Sequence, residues 1–290
     1  MITPALRRST ASEMIRSTVC EDGYTLLYRV WPSPRPPVAN ILLLNGMMSH
    51  SGWFRELARR LTELNLNVVG ADRRGSGLNK AARGDAPSRQ VLISDLLRIA
   101  RNEERQLPTF VVGWCWGAIL AVNFALEPES GVSGLALLAP GMFPSVQIKN
   151  LVKSELQGAV SSEWDSPVLA SLLSAEMFSD RPSIQHFIHS DALAQLRFTP
   201  RFFHISSVMS LIATTRLSQL TKPVLVLLAE KDVTADNHAT NNALARMRSG
   251  LLTKTTLNCH HGMQFEAPEQ IVANIASWLQ EQGISVHGAH

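Results

Sequence analysis

A chain of 290 residues with 45% apolar and 18% charged residues has the composition of a globular protein, which excludes a disordered or fibrous one. Its 27 basic and 24 acidic side chains leave a formal charge of +3. The basic residues are scattered in pairs (Arg7-Arg8, Arg59-Arg60, Arg73-Arg74) rather than gathered in a run, so no nucleic-acid partner is expected.

No apolar stretch approaches the roughly 18 residues that a membrane-crossing helix requires, so no membrane span is expected. Three cysteines, Cys20, Cys115 and Cys259, cannot build a disulfide framework and fit a reducing, cytoplasmic compartment. The segment Met1 to Arg16 carries three arginines without a hydrophobic stretch, which is not a secretory signal. Residues 1–19 are expected to form a flexible terminus.

In chain order, an Asp22-Gly23 turn leads into a strand over Thr25 to Trp31, and Pro32 to Pro37 is a spacer. Ile41 to Leu44, bounded by Asn40 and Asn45-Gly46, reads as a buried parallel strand. Trp53, Phe54, Leu57, Ala58, Leu61 and Leu64 recur at helical spacing. A strand at Val68 to Ala71, a helix at Val91 to Ala100 and a strand at Thr109 to Val112 follow. The nearly all-apolar run Ala118 to Leu126 is expected as a buried helix, before a strand at Leu135 to Ala139. This alternation predicts an α/β fold with a mostly parallel sheet.

The alternation then breaks. Residues 143–220 contain helix-like stretches and no strong strand. Strand, helix, strand and helix resume at Pro223 to Leu228, Asn241 to Arg248, Thr253 to Leu257 and Ile271 to Leu279. One core made of residues 20–142 and 221–290, with 143–220 inserted as a helical lid over the carboxyl ends of the strands, is the economical organisation. A second independent domain is the alternative.

The sharpest motif is Gly113-Trp114-Cys115-Trp116-Gly117, between a strand and a buried helix. That is the setting of a nucleophile elbow. The turn strains the central residue, the glycines let strand and helix approach, and the helix N-terminus below favours a thiolate or an oxyanion. The bland alternative is a structural cysteine between two core tryptophans. A nucleophile needs a base and an orienting acid. Asp232 ends a strand-like run, with Asp236 as alternative, and His261 follows the last strand in His260-His261-Gly262-Met263-Gln264-Phe265-Glu266. Gly75-Ser76-Gly77 lacks dinucleotide-fingerprint spacing, and Cys259-His260-His261 has no further ligand at zinc spacing, so neither a cofactor nor a metal is expected.

On these motifs the chain resembles the α/β-hydrolases over about residues 20–283, and within them the monoglyceride-lipase and thioesterase-like branch. The order nucleophile, acid, base is theirs. Asn45-Gly46-Met47 stands where that family has His-Gly-x, and Asp72-Arg73-Arg74-Gly75-Ser76-Gly77 resembles its D-x-R-G-x-G turn. The family's catalytic His commonly precedes a Glu by five residues, as His261 precedes Glu266. The resemblance implies a Cys115–His261–Asp232 triad and an oxyanion hole from the backbone amides of Met47 and Trp116; Trp114 and Asn45 are candidate substrate contacts, and Trp114 and Trp116 either line an acyl pocket or pack in the core.

Cysteine replaces the family's usual serine. A cysteinyl thioester is nearly isoenergetic with carrier thioesters, so the resemblance extends to acyl and aminoacyl transferases of nonribosomal peptide and polyketide pathways. It implies transfer of a small acyl group, aminoacyl above all, between acyl or aminoacyl carrier proteins, with the substrate on a phosphopantetheine arm. Glu163, Asp165, Glu176 and Asp180 are lid candidates for an ammonium partner. The alternatives are a thioesterase or esterase with the same three residues, and a non-catalytic binding protein on this fold.

Overall fold

In the computed structural model the described residues are 12–103, 106–158, 165, 169–170 and 173–286. An eight-stranded sheet organises the core. Its strands are β1 (Met14–Val19), β2 (Thr25–Trp31), β3 (Ala39–Leu44), β4 (Leu66–Ala71), β5 (Thr109–Trp114), β6 (Gly134–Leu138), β9 (Val224–Ala229) and β10 (Leu252–Leu257). They lie in the order β1-β2-β4-β3-β5-β6-β9-β10. β1 and β2 are antiparallel to their neighbours, and every other pairing is parallel. This is the α/β-hydrolase fold. β3, β6 and β9 are buried along their whole length, as continuous apolar runs require between two helical layers.

The helices α1 (Arg55–Thr62), α2 (Arg89–Asn102), α3 (Trp116–Ala125), α7 (Asn237–Leu244), α8 (Met263–Glu266) and α9 (Pro268–Glu281) belong to the core. Local chemistry sets their starts. The Ser88 side chain accepts from Val91 N at 3.1 Å at the start of α2, Asp236 accepts from Ala239 N at 2.9 Å at that of α7, and a proline opens α9. α7 therefore begins four residues before the expected Asn241, because the capping Asp236 lies ahead of the apolar periodicity.

The expected flexible terminus at 1–19 is corrected in part: Met14–Val19 pairs with Thr25–Trp31 as the edge strand. Five of its six residues face solvent, so it carries no apolar alternation. Residues 1–11 lie outside the described chain.

Between β6 and β9 stand α4 (Val146–Gly158), α5 (Pro182–Ser190) and α6 (Pro200–Arg216), with a two-residue ladder of β7 (Leu169–Ala170) and β8 (Arg197–Phe198) that the sequence did not signal. The insertion is tied to the core by specific polar contacts. Asn123 Nδ2 on α3 donates to Met209 O on α6 at 2.9 Å, and Gln195 N donates to Met48 O at 2.7 Å. Asp191 accepts from Trp53 Nε1 at 2.6 Å and contacts His50 Nε2 at 2.8 Å. Thr199 Oγ1 donates to Asp85 at 2.7 Å, and Arg201 grips the same carboxylate.

The strand β5 to helix α3 connection is a point of close backbone approach. A Cβ on Gly117 would stand 2.1 Å from the Leu44 carbonyl oxygen, and one on Gly113 would stand 2.4 Å from the Gly117 carbonyl oxygen. Backbone cannot yield there as a flexible side chain can. Gly117→Ala is expected to lower stability by about 3 kcal/mol in urea unfolding. Gly131→Ala, strained in φ but open in space, is expected to cost about 1 kcal/mol; equal losses would contradict the close-approach explanation.

Candidate active site

Cys115 occupies the turn that β5 and α3 enclose, with φ 56° and ψ −121°. That backbone is costly for a residue with a Cβ and persists where its surroundings over-determine it. Here they do. Cys115 N donates to Leu138 O at 3.0 Å, and Cys115 O accepts from Ala118 N at 3.1 Å and Gly141 N at 3.0 Å. The residue is 8% exposed. It stands at the N-terminus of a helix whose partial positive charge favours an anion.

The structure brings His261 and Asp232 to it. His261 Nδ1 lies 2.7 Å from Asp232 Oδ2, and both side chains are fully buried. The other oxygen, Oδ1, accepts from Thr234 N and Thr234 Oγ1 at 2.8 Å and from Ala235 N at 3.0 Å. Burial alone pushes the Asp232 pKa up, but the His261 charge and these hydrogen bonds outweigh it and hold the carboxyl below its usual range. Burial likewise pushes His261 down. The facing Asp232 charge and the neighbouring Cys115 sulfur outweigh it, and the imidazole is pushed up to about 10. The second ring nitrogen, Nε2, is buried and has no geometric hydrogen-bond partner, although the Cys115 side chain is close enough to act on the ring. These surroundings therefore favour a protonated ring beside the Cys115 sulfur.

Aromatic packing fixes the imidazole. The Trp114 ring lies 5.3 Å from it and Phe178, from the insertion, 5.6 Å. Trp114 Nε1 donates to His261 O at 2.9 Å, and Gly262 N donates to Phe178 O at 2.9 Å. Trp114 is thus a fully buried support for the His261 loop rather than the expected substrate contact. Asn45 is corrected in the same way. Its Nδ2 donates to Gly46 O at 3.0 Å and Ser49 O at 2.6 Å, so its side chain is spent on folding the loop after β3. That loop runs against the elbow: a Cβ on Gly46 would lie 3.2 Å from Cys115 Cβ. Met47, next in the loop, lines the same cavity as Cys115 and Trp116.

The neighbouring candidates have other duties. His260 Nδ1 sits 3.1 Å from Glu266 Oε2, and His260 N donates to the same oxygen at 2.7 Å. Glu266 also accepts from Ser179 Oγ, so it ties the His261 loop to the insertion. Its ligand atoms and those of His260 and the exposed Asp180 lie within 4.8 Å of one another, the one such grouping among the described residues. Within it, His260 and Glu266 are paired with each other. Asp236 caps α7. Cys20 and Cys259 are buried, and burial with nearby carboxylates pushes both thiols up to about 12.

Cys115 opens into a cavity of about 700 Å³. Met47, Trp116, Ile119, Ile148, Val152 and Phe203 line it with apolar surface. Ser206, Ser207, Ser210 and Thr234 supply hydroxyls, and Lys149 and Lys153 the only charges among the described lining residues. None of Asp165, Glu176 or Asp180 lines it, and Glu163 lies outside the described residues. The sequence did not single out Thr234, Phe178 or the lining residues of α4 and α6. Thr234, two residues after Asp232, was the one with a local signal, since Asp-x-Thr forms a side-chain turn.

The family model described as "Serine aminopeptidase, S33" matches residues 35–268, and the chain belongs to this family of α/β-hydrolases. A monoglyceride lipase of Rattus norvegicus is 24% identical over 92% of this chain and 90% of its own length. An uncharacterized abhydrolase domain-containing protein of Dictyostelium discoideum is 23% identical over 92% of this chain, which spans 29% of that protein's length. Among solved structures, a soluble variant of monoglyceride lipase from Saccharomyces cerevisiae, in complex with a substrate analog, superposes with a TM-score of 0.83 at 14% identity, covering 99% of this chain and 100% of its own. Among the described residues no helix is long and apolar enough to cross a membrane.

Iodoacetamide at pH 7 is expected to label Cys115 at least tenfold faster than Cys20 or Cys259, as followed by peptide mass mapping. Asp232→Asn removes the charge that raises His261 and is expected to slow that labelling about tenfold. Unchanged labelling in the variant would show that the imidazolium does not activate the thiol.

Proposed function

We propose that the protein is an ester or thioester hydrolase that carries an apolar acyl group on Cys115. The observation that carries this reading is that Cys115, beside the buried His261–Asp232 pair, opens into an apolar cavity of a size that suits a small molecule. The family and the lipase-like fold support hydrolysis, and the lining supports an aliphatic acyl chain.

The chemistry follows from the geometry. The Cys115 sulfur attacks the acyl carbonyl, with its proton held on His261 Nε2. The carbonyl electrons move to oxygen, to which the backbone N–H groups of Met47 and Trp116 donate hydrogen bonds. The tetrahedral centre collapses, the bond to the alcohol or thiol breaks, and His261 Nε2 returns the proton to the leaving group. Water then attacks the Cys115 thioester, giving its proton to Nε2. The C–S bond breaks, the acid departs, and Cys115 regains its sulfur-bound or imidazole-bound proton. Asp232 and Thr234 hold Nδ1 throughout, so the imidazole keeps one orientation through both halves.

Transfer between phosphopantetheine arms of carrier proteins has one feature in its favour, the cysteine, since a thiol acceptor would exchange one thioester for another. An aminoacyl cargo has less. Its ammonium calls for a carboxylate, whereas the described lining has none and presents Lys149 and Lys153.

With p-nitrophenyl esters, kcat/KM is expected to rise at least tenfold from acetate to octanoate, because each buried methylene is worth up to about 0.8 kcal/mol. Cys115→Ala is expected to abolish turnover. A profile that peaks at acetate would contradict the apolar-acyl reading. Faster consumption of alanyl than of octanoyl pantetheine thioester, with the acyl group passed to added thiol, would favour the transferase.

A further inference from the structure

Two adjacent arginines follow Asp72, and the protein treats them differently. Arg74 Nε and Nη2 donate to Asp95 at 2.6 and 2.8 Å, and Arg74 Nη2 also reaches Asp22 at 3.0 Å. Arg73 is 5% exposed and has no ion-pair partner among the described residues. The Asp72 carboxylate is already taken by Ser51 N at 2.6 Å, Leu78 N at 2.9 Å and Arg29 Nη1 at 3.1 Å. Arg73 Nε and Nη1 are buried with no hydrogen-bond partner. Burial pushes this guanidinium down to about 9, against the opposing pull of Asp72. Folding rarely leaves a cation so poorly met, and such a residue asks for a reason other than stability.

Its contacts supply one. Arg73 Nη2 donates to the Met47 carbonyl at 2.6 Å. Its guanidinium carbon lies 5.3 Å from the centroid of the Trp116 ring and 5.0 Å from that of Phe202. Trp116 is held on its other edge, where Nε1 donates to Ser206 Oγ at 3.0 Å. One side chain therefore touches both residues whose amides would face the oxyanion, one by a charge-assisted hydrogen bond and one by cation–π stacking.

We infer that Arg73 is a positioning residue that clamps Met47 and Trp116 together, so that their two amides converge on the oxyanion, and that places a positive charge behind them. This rests on the acyl-enzyme reading proposed above. Among the described residues no carboxylate forms an ion pair with this guanidinium, so its charge is available to an oxyanion that develops during the reaction. Arg73 touches no reacting atom. It acts through the Met47 loop and the Trp116 ring.

The test separates oxyanion stabilisation from thiol activation. Alkylation by iodoacetamide displaces iodide from carbon and builds no oxyanion, so it reads Cys115 and His261 alone. In Arg73→Met, kcat for p-nitrophenyl octanoate is expected to fall about a hundredfold, with KM changed less than about threefold and the Cys115 alkylation rate within about twofold of wild type. Arg73→Lys, which keeps the charge and one donor, is expected to recover about a tenth of the wild-type kcat. Either of two results would overturn the inference: a kcat within about threefold of wild type in Arg73→Met, or parallel falls in kcat and alkylation, which would make Arg73 a general structural support. Wild-type protein that alkylates at Cys115 but turns over no ester would defeat the proposed function first, and this inference with it.

Discussion

The left-handed backbone of Cys115 is the constraint from which the site is built. A residue with a Cβ adopts φ 56° only under compulsion, and here β6, α3 and Gly141 each hold its peptide groups. The same turn brings α3 against the end of β3, which Gly117 alone permits. Once strand and helix meet at that distance, the loop after β3 has to pass beside the sulfur, and Met47 and Trp116 become neighbours. The Asp232 and His261 loops, at the ends of β9 and β10, then close on the sulfur from the other side. Parallel strands with a common direction bring all these loops to one edge of the sheet.

Around this point the protein concentrates buried charge. Asp232 and His261 form a fully buried pair that is offset by mutual attraction and by Thr234, whereas Arg73 has only a carbonyl and two aromatic faces. A paired buried charge contributes little net stability and an unpaired one costs several kcal/mol. Placing both kinds beside an apolar cavity is a poor way to hold a fold together and a good way to stabilise charge that develops during a reaction. The insertion takes part in this, since Phe178 packs on the imidazole and Ser179 fixes Glu266. The segment between β6 and β9 therefore both lines the cavity and packs on the imidazole, so changes in its packing are transmitted to His261.

Much of this was legible in the sequence, for identifiable reasons. Continuous apolar runs such as Ile41–Leu44 and Pro223–Leu228 betray strands buried on both faces, and Gly-x-Cys-x-Gly between a strand and an apolar helix has few other uses. The five-residue step from His261 to Glu266 pointed to His261, which the structure pairs with Asp232, while Glu266 ties back the preceding residue, His260. What escaped was whatever lacks a period or a local partner. The edge strand Met14–Val19 faces solvent, so no alternation marks it. Trp114 and Asn45 adjoin the elbow and the loop after β3 in sequence, yet their side chains turn toward backbone carbonyls, which the fold alone determines. Thr234, Phe178 and the two faces of Arg73 depend on contacts between distant segments. The cavity depends on how α4 and α6 lie across the sheet, and the periodicity of an amphipathic helix does not specify that.

The central claim is that an acyl group resides on Cys115 during turnover. Rapid-quench intact-protein mass measurement after mixing with octanoyl-N-acetylcysteamine, followed by peptide mapping, tests it most directly. The expected result is a transient mass increase equal to one octanoyl group, located on the peptide that contains Cys115 and absent from Cys115→Ala. Turnover of the thioester without any adduct on that peptide, or undiminished turnover by Cys115→Ala, would contradict it.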